Sequence, residues 1–248
     1  SGALLLTGGE NTLLGDATGE ALSVGIQNVA VGYLALTDDT KGSTSTAVGV
    51  AALATQNFTT ATNSFNTAVG YDAGAAVTVG IKNTLIGALA GDAITDADNN
   101  VAVGYQALSA NTTGEKNIAI GSAALDANTT GDKNVAVGNS ALGSMNVTDG
   151  SETFNTAVGA DAGKSVTTGA QNTIIGGLAG DALTTGGLTC VGYLSGSALT
   201  TSVGNVLMGE LSGTALTTGA NNVAFGSQAL STDTIGSQSV AIGHDALR

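Results

Sequence analysis

The sequence predicts an all-β protein, a parallel β-solenoid of about fourteen coils of ~17 residues each. The motif Asn-Thr-Ala-Val-Gly and its variants recur fourteen times, and most of the closing glycines lie 17 residues apart, with two steps of 21 and one of 16. The chain also has 38 Gly, no Pro and no Trp in 248 residues. The closing glycine is position 0 of each coil, and the glycines of coils 1 to 14 are, in order, Gly15, Gly32, Gly49, Gly70, Gly87, Gly104, Gly121, Gly138, Gly159, Gly176, Gly192, Gly209, Gly226 and Gly243.

The residues before each glycine predict a strand. Position −3 is β-branched and position −1 is large and apolar in every coil, as in Val29 and Val31. Alternate residues of a strand point to opposite sides, so these two positions share a face, which we assign to the interior of the coil. Position −2 is also always apolar, and on this assignment it points outward.

The residues after the glycine divide the coils into two kinds. Position +4 is Leu in seven coils and Gly in the other seven, and the glycine coils carry an aliphatic residue at position +7 instead. Every leucine coil has Ala at position −2, whereas five of the seven glycine coils have Leu, Ile or Cys there. This compensation predicts that positions −2 and +4 fill one dry space.

If position −2 faces outward, the dry space that it shares with position +4 lies outside the coil. We therefore expect it to be an interface between chains. An apolar stripe along the whole solenoid is larger than the patches that soluble monomers expose. We therefore expect a homo-oligomer of parallel chains. The predicted interface residues are Ala30, Ala47, Ala68, Leu85, Ala102, Ala119, Ala136, Ala157, Ile174, Leu207, Ala224 and Ala241.

The remaining positions predict turns and loops. Asn occupies position −4 in eleven coils, where its amide is expected to hydrogen-bond the backbone of its own turn and the amide of the next coil. Residues 1–248 form a single repeat domain with insertions near 56–64 and 145–153. The flanking motifs recur 89 residues apart, which indicates a duplicated block. The insertions are expected to project as loops, either to bind a partner or because extra loop residues are tolerated.

Composition and charge argue against several classes of function. A net charge of −13 with only six Lys and Arg disfavours nucleic acid as a partner, and no apolar run is long enough to insert into a membrane. The single cysteine, Cys190, occupies an apolar repeat position and is expected to be buried and inert. The single histidine, His244, is expected at an exposed corner. No motif indicates an enzyme, a cofactor or a metal site, although surface calcium at Asp92 or Asp181 stays open.

Three stretches carry a resemblance to a known family. Residues 28–36 read Asn-Val-Ala-Val-Gly-Tyr-Leu-Ala-Leu, residues 100–108 differ from them at one position, and residues 239–247 read Ser-Val-Ala-Ile-Gly-His-Asp-Ala-Leu. They resemble the head repeats of trimeric autotransporter adhesins (YadA-like), and similar arrays occur in phage tail fibres. The resemblance implies a left-handed β-roll and a parallel homotrimer. The longer repeat, the Asn in place of Ser and the return loops depart from the adhesin pattern.

Two classes of function remain. The first is a structural or adhesive fibre, a rigid trimeric stalk or head outside a cell or on a virion that presents binding surfaces to an unknown host-surface or matrix receptor. The second is a surface-recognition solenoid such as an ice-binding protein, in which paired threonines align along the coils. The pairs are Thr112-Thr113, Thr129-Thr130, Thr167-Thr168, Thr184-Thr185, Thr200-Thr201 and Thr217-Thr218.

Overall fold

The computed structural model describes residues 9–201 and 203–248. It is a parallel β-solenoid of about fourteen turns, and the described residues contain no helix. Accordingly, they also contain no helix that is long and apolar enough to cross a membrane. The chain divides into two compact units, Ser1–Ser122 and Ala123–Arg248.

The first unit contributes seven strands of the main sheet and one short strand pair. Each main strand pairs in parallel with the equivalent strand of the next coil, so that position −2 lies beside position −2. Strand β5 lies within the first insertion and pairs in parallel with β3 in the return loop of the preceding coil. The strands are β1 Thr12–Leu14, β2 Val29–Val31, β3 Gly42–Ser43, β4 Thr46–Val48, β5 Thr62–Asn63, β6 Thr67–Val69, β7 Thr84–Ile86, β8 Val101–Val103 and β9 Ile118–Ile120.

The second unit contributes the other seven strands of the main sheet. They pair in parallel in chain order, with the same alignment of repeat positions. The strands are β10 Val135–Val137, β11 Thr156–Val158, β12 Thr173–Ile175, β13 Leu188–Val191, β14 Asn205–Met208, β15 Val223–Phe225 and β16 Val240–Ile242.

The interior of the coil lies on the opposite side of the strand from the one that we predicted. In β2 the middle residue Ala30 is fully buried, whereas Val29 is 38% exposed. Positions −4, −2, +3 and +4 point inward, as Asn28, Ala30, Ala35 and Leu36 show. Strand alternation identifies which residues share a face, but it does not state which face is enclosed. The enclosed face is that of position −2, where in a leucine coil one Ala of the strand meets one Leu of the opposite wall.

The corners depend on positive φ angles. Position 0 has φ near +137° in Gly104, and a Cβ there would lie 2.6 Å from the carbonyl oxygen of Gly121 in the next coil. Only glycine avoids this clash. Non-glycine residues also adopt left-handed φ at positions −5, +2 and +4, including Leu108 at +57°. Each costs about 1–2 kcal/mol, so burial of Leu108 offsets local backbone strain.

Stacked asparagines connect the coils from within. The Asn100 Oδ1 accepts from the main-chain N–H of Asn117, and the Asn100 Nδ2 donates to the carbonyl of Gly114, both at 2.9 Å. We expected the amide to bond the backbone of its own turn, and for Asn100 this is wrong, because both bonds reach the backbone of the next coil. Most of these amides therefore satisfy buried main-chain groups.

Candidate assembly surface

The outward side of the main sheet forms an uncharged, mostly apolar surface in each unit, with Thr at seven of the fourteen −3 positions. We call positions −3 and −1 of the fourteen strands the outer strand face; it carries only Thr, Val, Ile, Leu, Met and Phe. In the first unit Ile86 is 39% and Ile120 38% exposed, and in the second unit Ile175 is 38% and Phe225 54% exposed. Seven strands at about 4.8 Å spacing make each surface roughly 29 Å long.

The predicted interface residues do not lie on this surface. All twelve are 0–1% exposed within a single chain, so their side chains cannot touch another copy. The assignment of this column to an interface is therefore wrong. The members are Ala30, Ala47, Ala68, Leu85, Ala102, Ala119, Ala136, Ala157, Ile174, Leu207, Ala224 and Ala241.

The predicted competition between positions −2 and +4 is confirmed, but the shared space lies inside the coil. A Cβ added to Gly91 would lie 2.7 Å from Leu85 in the same coil, and a Cβ added to Gly74 in the preceding coil would lie 2.6 Å from Leu85. A bulky residue at position −2 therefore needs glycine in its own coil and in the coil before it. Ile174 has the same relation to Gly163, at 2.8 Å.

This geometry explains two exceptions in the sequence pattern. Gly74 and Gly163 occur in coils whose position −2 is only Ala68 or Ala157. They make room for Leu85 and Ile174 of the following coil.

In four leucine coils a polar side chain at position +7 closes the return loop, which the sequence analysis missed: Asp39, Asn111, Asn128 and Asp233. Gln56 and Met145 occupy this position in two others. In coil 6 the Asn111 Nδ2 donates to the Gly114 carbonyl at 2.8 Å, and Asn128 bonds Gly131 in the same way at 3.0 Å. Asp39 instead accepts from the Gly42 N–H at 2.8 Å. The recurring Asx-Thr-x-Gly sequence is the signal for this turn.

Asp39 also anchors a buried polar network under the first insertion. The Gln56 Nε2 donates to the Asp39 Oδ2 at 2.7 Å and to the Ser45 Oγ at 2.8 Å, while the Gln56 Oε1 accepts from the Asn66 Nδ2 at 2.8 Å. Asp39 and Gln56 have no exposed surface. Burial raises the pKa of the Asp39 carboxyl, and the hydrogen bonds from Gln56 and Gly42 offset only part of this effect.

The outer strand face has two different edges. At position +1, beyond the strand, Tyr33, Tyr71 and Tyr105 are each 51–56% exposed in the first unit. Positions +1 and +2 carry acidic residues in five coils and no Lys or Arg. At position −5, before the strand, three coils carry Lys and one carries Glu.

The threonine pairs form only part of the ladder that an ice-binding surface would need. The first hydroxyl of a pair donates to the main chain of the next coil: the Thr184 Oγ1 bonds the Thr200 carbonyl at 2.9 Å, and the Thr217 Oγ1 bonds the Thr234 carbonyl at 2.8 Å. The second threonines of the other pairs, such as Thr185, are exposed, whereas Thr130 is half-buried and its hydroxyl bonds the main chain. One exposed hydroxyl per coil is left in this part of the second unit.

The residues singled out for chemistry lie apart from one another. Cys190 is buried as expected, and burial raises the pKa of its thiol to about 12. His244 is exposed, with its Nδ1 3.1 Å from the Asp245 Oδ2. Burial raises the pKa values of Asp92 and Asp181, and the Oδ1 of each has no hydrogen-bond partner among the described residues. Residues 9–201 and 203–248 contain no cluster of three His, Cys, Asp or Glu side chains suited to a metal ion.

No family model matches the chain, and no curated protein or solved structure is significantly similar to it.

Proposed function

We propose that this chain is a rigid, non-catalytic segment of an extracellular fibre, on a cell surface or a virion, that assembles with copies of itself through the outer strand face. The observation that carries the proposal is the charge-free apolar surface in each unit. Isolated proteins seldom expose a contiguous surface of this kind, and every strand contributes a partly exposed Val, Ile, Leu, Met or Phe at position −1, which burial stabilises.

A second copy of the chain suits this surface better than an unrelated partner. Both copies carry side chains at the same coil spacing, so their rows match when the solenoid axes are aligned. The surface is also uncharged, which lets two chains of net charge −13 approach without opposing carboxylates at the contact.

The two edges favour parallel chains. Rotation about an axis parallel to the solenoid places the position −5 edge of one chain, with Lys82, against the position +2 edge of the next, with Asp72. An antiparallel arrangement would bring like edges together. Three copies and a left-handed winding follow from the resemblance to trimeric autotransporter adhesins and tail fibres. In this assembly the fibre acts by reach and by presenting three copies of each loop to a receptor.

The mass of the assembly tests this proposal. We expect light scattering at micromolar concentration to give three times the chain mass for the parent and a smaller species for Ile86→Lys. The matched control is Val79→Lys, which changes a residue 48% exposed in a return loop and leaves the mass unchanged. Lys82→Glu is expected to weaken the trimer, and adding Asp72→Lys to restore it. A well-folded parent monomer, or an Ile86→Lys trimer as stable as the parent, contradicts assembly through this face.

A further inference from the structure

The second insertion forms a pocket on the second unit. The pocket has a volume of about 290 Å³ and lies between the insertion and the return loop that carries Thr168 and Ala170. This volume is near the lower end of the usual range for small-molecule sites. Every lining residue belongs to one chain, so the pocket does not depend on assembly.

The lining is rich in groups that exchange hydrogen bonds with hydroxyls. Asp149 and Glu152 supply carboxylates, Thr148 and Thr168 supply hydroxyls, and Ala170 and the 7% exposed Val147 add apolar atoms. Carboxylates accept hydrogen bonds from neutral polyols, while threonine hydroxyls both donate and accept. This combination fits a neutral sugar ring, which has hydroxyls around its edge and C–H groups on its faces.

The loop is held in place by the coil before it. The Thr130 Oγ1 donates to the Val147 carbonyl at 2.8 Å and accepts from the Gly150 N–H at 3.1 Å. On the same loop, the Ser151 N–H donates to the Asp149 Oδ1 at 3.0 Å. A loop fixed before the ligand arrives loses less conformational entropy on binding.

One side of the pocket is electrostatically balanced. Lys133 forms an ion pair with Glu152, and its Nζ lies 5.1 Å from the centre of the Phe154 ring. Asp149 is exposed, and hydrogen bonds from the Ser151 side chain and backbone lower the pKa of its carboxyl. Asp149 is therefore ionised at neutral pH and disfavours an acidic sugar by charge repulsion.

The first insertion is a natural control. It occupies the equivalent place in the duplicated block, and Asp149 and Glu152 correspond 89 residues earlier to Thr60 and Asn63. That loop lacks both carboxylates, and part of it pairs as β5 with β3. The two loops share their location in the repeat but differ in the groups that would recognise a ligand.

We propose that the pocket of the second insertion binds one neutral sugar ring of a surface glycan. This goes beyond fibre assembly, because it names a ligand class for a loop that the fibre displays. In a trimer the three copies would act together, so weak single sites would give a stronger combined attachment.

Saturation-transfer NMR on the full chain tests the proposal, with glucose, galactose, mannose and N-acetylglucosamine as neutral probes and glucuronic acid as the acidic probe. We expect transfer to at least one neutral sugar and little to the acid. Asp149→Ala and Thr168→Val should each weaken binding about tenfold, the latter without altering the loop itself.

The matched controls are Thr60→Ala and Asn63→Ala, which should leave the affinity unchanged. The absence of transfer to every neutral sugar overturns the proposal. Equal loss of binding in the controls, or a preference for glucuronic acid, overturns it as well. Because the site lies within one chain, sugar binding by a monomeric protein would support this proposal even if assembly failed.

Discussion

Coil 5 and coil 6 lie side by side in the first unit and fill the same interior in opposite ways. Coil 5 combines Leu85 at position −2 with Gly91 at +4 and Ile94 at +7, whereas coil 6 combines Ala102 with Leu108 and Asn111. All these side chains are fully buried. One backbone therefore accepts an apolar filling or a polar loop closure, provided that the volume and the hydrogen bonds are satisfied together.

The comparison also shows that the coils are not independent. Leu85 reaches both Gly91 and the preceding Gly74, so the choice made in one coil restricts the choice in its neighbour. A glycine coil consequently precedes a coil with a bulky position −2 residue. This coupling between neighbours is the structural basis of the one-dimensional behaviour expected of a solenoid.

The largest expected effect comes from emptying the space in coil 5. Leu85→Ala removes the side chain that fills the gap between Gly74 and Gly91, so we expect a loss of about 2–5 kcal/mol in the free energy of unfolding. Urea denaturation followed by circular dichroism measures it. Val79→Ala in an exposed loop is the control, with an expected change within about 0.5 kcal/mol. A loss below about 1 kcal/mol for Leu85→Ala would show that the coil collapses around the gap.

Overpacking coil 6 sharpens the same comparison. Ala102→Leu places a second bulky group beside Leu108, at an expected cost of about 1–3 kcal/mol. Adding Leu108→Gly should recover part of that loss, because the preceding coil already has Gly91.

Coil 3 provides the contrasting case, because Ala47 lies between the leucines of two coils, Leu36 and Leu53. Ala47→Leu should therefore be rescued well only when Leu36→Gly and Leu53→Gly are combined. Double-mutant cycles on urea midpoints separate the cases. If Leu53→Gly alone rescues Ala47→Leu as fully as Leu108→Gly rescues Ala102→Leu, the requirement for glycine in both coils is wrong.

These residues also show what the sequence was able to predict. The repeat spacing predicted the coils, the β-branched positions predicted the strands, and covariation predicted that Leu85 and Gly91 share a space. The orientation of Ala102 was wrong because alternation is symmetric: it groups residues by face without stating which face is enclosed. The left-handed Leu108 was not predictable, because local preference opposes φ near +57° in leucine and only burial offsets it.

The candidate surface was harder to predict than the fold for the same reason. Val and Ile are common on both sides of buried strands, so the composition of positions −3 and −1 did not distinguish core from surface. The return-loop turn closed by Asn111 is easier to recognise in the sequence than the candidate surface, because the motif Asn111-Thr-Thr-Gly114 is typical of such a turn. Its burial, however, depends on the coil above and below.

The smallest expected effect concerns a leucine coil that uses an acid where coil 6 uses Asn111. The pKa of Asp39 in the folded chain is raised above the ordinary value of 3.8 by burial. The folded state therefore holds this proton more tightly than the unfolded state. The contribution of the Asp39 carboxyl to the free energy of unfolding is greatest below pH 3.8. It decreases as the pH rises through the pKa of the folded state and stays constant above it.

The matched variant combines Asp39→Asn with Gln56→Met, which copies Asn128 and Met145 of the duplicated block. Asp39→Asn removes the titrating carboxyl. Gln56→Met prevents the Gln56 side-chain N–H from facing the N–H donor of the new asparagine. Subtracting its urea-derived stability from that of the parent between pH 3 and 7 cancels the shared contributions of Asp92, Asp126 and Asp181. We expect the free energy of unfolding of the parent to decrease relative to that of the variant as the pH rises, because only the parent must bury an ionised carboxylate in this loop. A difference that is independent of pH, or that shifts in favour of the parent, would mean that the hydrogen bonds to Asp39 fully compensate its burial.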